Sequence, residues 1–172
     1  AITDADCTLP LEFDGSSLRL RDHRQIWARP GWIQKSFRCA ATFAIPVRDL
    51  EQADPFLLRR AVSNLLDNAL DFSPEGGHIE LGLQVQGRWA QITVRDQGPG
   101  IPGYAQDKVF EKFYSLARPH SKKKSTGLGL SFVKEIASLH RGRIELSNRP
   151  EAEGTGAAAT LWLRTRDRKS VV

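Results

Sequence analysis

DPFLLRRAVSNLLDNALDF, residues 54–72, is followed by SPEGG (73–77) and HIELGLQVQGRWAQITVRD (78–96). Asp54 is a good N-cap and Pro55 suits a first helical turn, so the first segment predicts a helix carried by Phe56 to Asp71. At about 100° per residue, Leu58, Ala61, Val62, Leu65 and Ala69 form one apolar arc, with Arg60, Ser63, Asp67 and Asp71 opposite. Asn64 and Asn68 fall together on the seam, one turn apart. After the Pro-Gly break, strict alternation puts Ile79, Leu81, Leu83 and Val85 on one face of a strand. Gln86-Gly87 then turns the chain into a second alternating run, in which Ala90, Ile92, Val94 and Asp96 share a face. The carboxylate of Asp96 therefore points where the core points.

Outward from this unit, Gly98, Gly100 and Pro102 break the second strand, and an irregular polar stretch runs to Thr126. A helix from about Leu128 to His140 follows, its end marked by Gly142. Strands are expected near Arg143 to Ser147 and Thr160 to Leu163, and another from Ser36 to Ile45. Before Lys35 the pattern is irregular, with turns at Asp14-Gly15 and Arg29-Pro30-Gly31 and a short helix between them. The division expected is an N-terminal segment over 1–35, a domain over 36–166 and a basic tail over 167–172. Hairpins predominate and repeated βαβ units are missing, which predicts an α+β layer of helices on a mainly antiparallel sheet rather than a dinucleotide-binding fold.

Composition bounds the function. With 172 residues, 40% hydrophobic and 26% charged, the chain has the size of one globular domain with an N-terminal extension. No apolar run approaches the roughly 20 residues that span a bilayer, so a soluble chain is expected. Cys7 and Cys39 lack the spacing of a zinc site or disulfide framework, which fits a reducing cytoplasm. The net charge of +5 gathers at Arg19-Leu20-Arg21, Lys122-Lys123-Lys124 and Arg164 to Lys169. These are either solvated loops or phosphate-attracting patches. No aromatic residues interleave with them, so no nucleic-acid partner is expected.

Three glycine- or amide-bearing segments carry chemistry. Asn64-Leu65-Leu66-Asp67-Asn68-Ala69 alone is an ordinary helix rim. Asp96-Gln97-Gly98-Pro99-Gly100-Ile101-Pro102 alone is a common turn, but it couples a core-facing carboxylate to glycines that let a ligand approach the backbone. Ser125-Thr126-Gly127-Leu128-Gly129-Leu130 opens a helix, where exposed N–H groups and the helix dipole suit phosphate. Between the last two stands Val109-Phe110-Glu111-Lys112-Phe113-Tyr114, an aromatic cluster whose plain reading is a small satellite core.

In this order and spacing, over Asp54 to Leu163, the segments resemble the N, first G, F and second G boxes of the GHKL ATPase superfamily. The sensor histidine kinase pattern NLLxNA, DxGxGIP, FExFY and TGLGL is matched almost letter for letter. Residues 68–75, 113–116 and 124–130 look like the CreC-type two-component sensors in particular. The resemblance implies a two-layer α/β sandwich of the Bergerat kind with helices on one face and a flexible ATP lid over Pro102 to Thr126. It implies that Asn68 ligates Mg²⁺, that Asn64 lies near the phosphates, and that Asp96 accepts from the adenine amine of ATP. Gly98, Gly100, Ile101 and Phe110 would shape the nucleotide slot. Thr126, Gly127, Leu128, Gly129 and Leu130 would close over the phosphates, and Lys112 would reach them. Hydrolytic relatives carry a glutamate where this chain has Asn64, so the resemblance implies a kinase: without a general base, ATP is kept for an external histidine.

The chain also departs from the pattern. None of His23, His78, His120 and His140 stands in a phosphoacceptor box, and the paired dimerisation helices are missing. The resemblance therefore implies the cytoplasmic catalytic fragment of an inner-membrane sensor. Its partners would be a histidine-containing dimerisation domain of the same receptor and a downstream response regulator, with the membrane anchor in the full-length protein. Asp71 and Phe72 stand where many relatives have lysine and tyrosine, and Ser115 where they have arginine, so phosphate-facing charge is lost. A non-catalytic nucleotide-binding regulatory module is the alternative.

Overall fold

The Asp54 side chain accepts a hydrogen bond from the Leu57 N–H at 3.1 Å, and Pro55 opens the helix α1, Pro55–Phe72. In the computed structural model, residues 50–51, 53–74, 76–119 and 125–166 are described throughout, and residues 11–13, 17–20, 26–27, 35–39 and 44–46 by their backbone. α1 buries Leu58, Ala61, Val62, Leu65 and Ala69, as the helical period requires, and widens the stripe with Leu66 and Leu70. Each fully buried leucine contributes about 2 kcal/mol by removal of apolar area from water.

The strands are β1 (Leu11–Phe13), β2 (Ser17–Leu20), β3 (Ile26–Trp27), β4 (Lys35–Cys39), β5 (Ala44–Pro46), β6 (His78–Gln86), β7 (Trp89–Arg95), β8 (Arg143–Asn148) and β9 (Ala157–Arg164). A six-stranded sheet runs β3-β4-β6-β7-β9-β8, and β1, β2 and β5 form a separate antiparallel sheet. Only the β4–β6 pair of the larger sheet is parallel. The expected mixed, mainly antiparallel sheet is thus present. The second helix, α2 (Gly129–Leu139), lies beside α1 on one face. Between the layers sit Ile79, Leu81 and Leu83 of β6, Ala90, Ile92 and Val94 of β7, Ala159, Leu161 and Leu163 of β9, and Val133, Ile136 and Ala137 of α2. On the opposite face Trp89 and Trp162 meet edge to face at 6.3 Å, with the Arg143 guanidinium 4.2 Å from the Trp162 ring.

Several sequence expectations are corrected. Ser36 to Ile45 is not one strand: β4 and β5 belong to different sheets. The helix expected between Asp14 and Arg29 does not form among the described residues there, which are β2 and β3. β3, from the segment set apart over 1–35, pairs with β4 in the main sheet. Val85 is 56% exposed, at the hairpin end of β6 beyond Leu81, the last residue that pairs with β4. β9 starts at Ala157, earlier than expected, since its alanines carry little strand preference of their own.

Gly142 ends α2 for a different reason than the one expected. The left-handed residue is Arg141 (φ 51°), and Gly142 and Arg141 donate to the Ala137 and Ser138 carbonyls, the paired bonds of a Schellman end. Gly142 is required by packing, since a Cβ there would stand 1.8 Å from the Trp162 carbonyl oxygen. Beside it His140, 4% exposed, is held at both ring nitrogens: Nε2 accepts from the Asp54 N–H at 2.9 Å and Nδ1 lies 2.7 Å from the Ile136 carbonyl. That pair of bonds requires the neutral ring with its proton on Nδ1.

Candidate functional site

α1, the end of β7, the N-terminus of α2 and the irregular segment after Ile101 enclose a cavity of about 100 Å³. Its wall includes Asn68, Asp96, Gly100, Ile101, Gly127, Gly129 and Leu130, so the segments singled out in the sequence converge on one place. The alternation of β7 carries Asp96 to the inner side of the sheet, where it is 8% exposed. Its Oδ1 accepts from the Gly98 N–H at 2.8 Å and the Ala157 N–H at 3.0 Å, fixing the carboxylate against the loop and the neighbouring strand. Two such charge-assisted bonds offset part of the cost of burying a carboxylate.

The glycines are dictated by close approach. A Cβ on Gly98 would stand 2.7 Å from the Phe72 carbonyl oxygen, so only glycine lets the loop pass over the end of α1. Gly100 adopts φ 78°, and a Cβ there would stand 2.7 Å from Asn148 Oδ1. The Asn148 amide grips the next residue, with Oδ1 accepting from the Ile101 N–H and Nδ2 donating to the Ile101 carbonyl. Asn148 thus ties the end of β8 to the glycine loop beneath the cavity.

The segment from Pro102 onward is anchored where it begins. After a short 3-10 turn at Gly103–Ala105, Ala105 and Val109 bury against Ile101, and Phe110, Tyr114, Leu116, Leu130 and Leu146 pack around them. This is the satellite core anticipated for the aromatic cluster, except that Phe113 lies outside it, 76% exposed and at φ 66°. The Phe113 N–H donates to the Gly127 carbonyl at 2.9 Å, joining the middle of the segment to its end. Tyr114, Ser115 and Leu116 line the cavity and narrow it well below the roughly 300 Å³ at which small-molecule sites begin.

The remaining anticipated residues lie elsewhere. Asn64 is half-buried on α1 outside the cavity lining, and Gly98 is buried behind the loop. Thr126 and Leu128 are exposed; Leu128 holds the N-cap position of α2 without a side-chain capping bond, and its carbonyl accepts from Ser131 Oγ at 2.9 Å. Phe110 and Lys112 face a separate groove along α2, where Lys112 Nζ meets Glu135 Oε1 at 3.2 Å. Both partners of that pair are more than half exposed, so solvent leaves it weak. Lys122, Lys123, Lys124, His23 and His120 lie outside the described residues.

Residues 53–167 match the family model described as histidine kinase-, DNA gyrase B-, and HSP90-like ATPase. The chain belongs to this family. Within it the relatives are sensor kinases. The chain is 48% identical over 111 residues to the sensor protein CreC of Escherichia coli (strain K12), covering 64% of this chain and 23% of that protein. It is 44% identical over 112 residues to the alginate biosynthesis sensor protein KinB of Pseudomonas aeruginosa, covering 65% and 18% respectively. The chain therefore spans less than a quarter of these relatives' length. Among solved structures it is similar to the mycobacterial sensor histidine kinase MprB, at 32% identity and a TM-score of 0.62, over 77% of this chain and 83% of that one. The catalytic domain of the histidine kinase ThkA shares the fold, at 24% identity and a TM-score of 0.57, over 74% of this chain and 77% of that one. The chain is thus the ATP-binding ATPase domain of the sensor histidine kinase type.

The cavity also has a wall the sequence did not disclose. Arg118 lines it, and its guanidinium pairs with Asp71 Oδ2 on the last turn of α1. Asp71 stands out in the sequence only as a departure from the family lysine, and nothing in the pattern joins it to an arginine 47 positions later. Asn148 was equally invisible, since its partner Ile101 lies 47 residues away and an asparagine at a strand end has no signature.

Proposed function

We propose that this domain binds Mg-ATP in the cavity beside α1 and donates the γ-phosphate to a histidine on a dimerisation domain of the same receptor, from which a response regulator is served. The observation that carries the reading is Asp96: a buried carboxylate, oriented by two backbone N–H groups, in the same cavity wall as Asn68. An acceptor so placed suits the exocyclic amine of adenine and leaves guanine, which presents a carbonyl there, unpaired. Gly100 and Ile101 form the floor for the purine, with Gly98 buried behind them, and Gly127, Gly129 and Leu130, at the start of α2, face the phosphates.

Magnesium fits this donor set. Among the described residues no cluster of three or more His, Cys, Asp or Glu could hold a metal ion, so a divalent ion here relies on the Asn68 amide oxygen, phosphate oxygens and water. Magnesium accepts such a set, because it favours oxygen ligands and retains waters. Asn64 offers an amide one turn from Asn68 in place of a carboxylate, and an amide cannot take a proton from water, which supports transfer to an outside nucleophile over hydrolysis. His140 supports an external acceptor too, since both its ring nitrogens are engaged in the core. No helix among the described residues is long and apolar enough to cross a membrane, and the membrane anchor is assigned to the full-length sensor, with this domain on its cytoplasmic side.

Calorimetry with a non-hydrolysable ATP analogue tests the reading. Binding should require magnesium, and Asn68→Ala and Asp96→Asn should each weaken it at least tenfold; unchanged affinity in both variants would refute the assignment. Adding a cognate dimerisation domain with γ-labelled ATP should give acid-labile label on that domain. Binding without transfer would leave the regulatory-module reading.

A further inference from the structure

Resting on the ATP-binding reading, we propose that Arg118 is the polyphosphate ligand of this domain, standing in for the cations lost at positions 71 and 115, and that Asp71 positions it. Among the described residues Arg118 is the one cation lining the cavity. Lys112, one of the cations the sequence offered, is turned to Glu135 outside it, and Lys122, Lys123 and Lys124 lie outside the described residues. Arg118 is largely buried, with its side chain 18% exposed, and the Asp71 side chain that holds one end of the guanidinium is 9% exposed. The Nε of Arg118 is buried and has no hydrogen-bond partner among the described residues. A guanidinium carries five donors in a rigid fork, and an unanswered buried N–H is costly, so this geometry is poised for a further anionic acceptor.

The location matches the phosphates. Asp71 lies one helical turn beyond Asn68, so a phosphate chain held at the Asn68 amide runs within reach of the arginine. Asp71 does not line the cavity while Arg118 does, which places the carboxylate behind the guanidinium as its support. Without nucleotide Asp71 balances the arginine charge. With nucleotide bound, phosphate oxygens take the remaining donors, and the pair becomes a shared network.

A simple lid latch would use the same ion pair, and the two roles separate experimentally. Arg118→Ala, with Arg118→Gln as a second variant of similar size, removes the phosphate ligand and the latch together. Asp71→Asn removes the charge that repels phosphate but keeps a side-chain oxygen to accept from the guanidinium, so the arginine stays in place. Titrating the magnesium complex of a non-hydrolysable ATP analogue into each purified variant, with thermal melting to verify folding, should show affinity about tenfold weaker in both Arg118 variants. Asp71→Asn, which loosens the hold on the guanidinium without removing it, should lose about threefold, less than the Arg118 variants. A loss in Asp71→Asn equal to that in the Arg118 variants, or full affinity in those variants, overturns the proposal. If the parent chain itself fails to bind, the ATP-binding reading falls and takes this one with it. If the parent binds and depends on Asp96 but not on Arg118, only this proposal falls.

Discussion

Asn148 and Ile101 are joined by both faces of one amide: Oδ1 accepts from the Ile101 N–H at 2.6 Å, and Nδ2 donates to the Ile101 carbonyl at 3.0 Å. This clamp ties the edge strand β8 to the loop that floors the cavity. Asn148→Ala removes both bonds and leaves a partly buried N–H and carbonyl to find water. The expected cost is about 1–2 kcal/mol in urea denaturation. The nucleotide analogue should also bind more weakly, since the loop that positions Ile101 loses its tether. Asn148→Asp keeps the acceptor and loses the donor, and should retain more stability than the alanine variant.

Gly156 is the tightest constraint on Asp96. It sits at φ 133°, and a Cβ there would stand 2.0 Å from the Asp96 carbonyl oxygen. Backbone cannot yield as a flexible side chain does, so Gly156→Ala must push β7 and the β9 entry apart. The Asp96 N–H to Ala157 carbonyl bond and the Ala157 N–H to Asp96 Oδ1 bond, each 3.0 Å, are the first to break. The expected result is a loss of several kcal/mol in chemical denaturation, together with loss of nucleotide-analogue binding. Unchanged affinity in a folded Gly156→Ala variant would show that the Asp96 carboxylate does not need this support.

His140 holds the two helices together at their far ends. Its Nε2 accepts from Asp54, the N-cap of α1, while Nδ1 bonds back to α2. His140→Ala opens a void and leaves the Asp54 N–H without that acceptor, at an expected cost of about 2–3 kcal/mol by thermal or urea unfolding. A phosphoacceptor role would require a free ring nitrogen. The isolated chain incubated with γ-labelled ATP should accordingly show no acid-labile label at His140.

The parts of the structure legible in the sequence are those whose cause is local. Asp54-Pro55 and the period of Leu58, Ala61, Val62, Leu65 and Ala69 define α1 within a few neighbouring residues, and the alternation through Ile92, Val94 and Asp96 places the carboxylate on the inner face before any contact is known. Where the cause is distant, the reading stops. Val85 alternates like its neighbours, but it lies beyond the stretch of β6 that β4 pairs with, and it is exposed. Gly142 reads as a helix end, although Trp162, on a strand twenty residues later in the chain, is what requires the glycine. Asp71 reads as a lost lysine until Arg118 is brought to it by the fold of the lid. Side chains that meet across the sheet or the lid have no shared period to reveal them.

Gly127 joins the end of the lid to its middle. It adopts φ 68°, and a Cβ there would stand 2.5 Å from the Phe113 carbonyl carbon and 2.8 Å from the Tyr114 carbonyl oxygen. Its own carbonyl accepts from the Phe113 N–H, and its N–H donates to Ser125 Oγ at 3.1 Å. Gly127→Ala therefore combines left-handed strain with a collision against lid backbone, and the lid has to lift away from the start of α2. Because the main core between α1, α2 and the sheet does not include this contact, global stability should fall by only about 1–2 kcal/mol. Nucleotide affinity should fall at least tenfold, since Gly127 and the start of α2, proposed above to face the phosphates, are the parts displaced. Amide hydrogen exchange checks the mechanism: protection should drop at Phe113 and Tyr114 while the amides of β6 and β7 keep theirs. Equal loss of protection in the sheet would mean that Gly127 supports the whole fold rather than the lid.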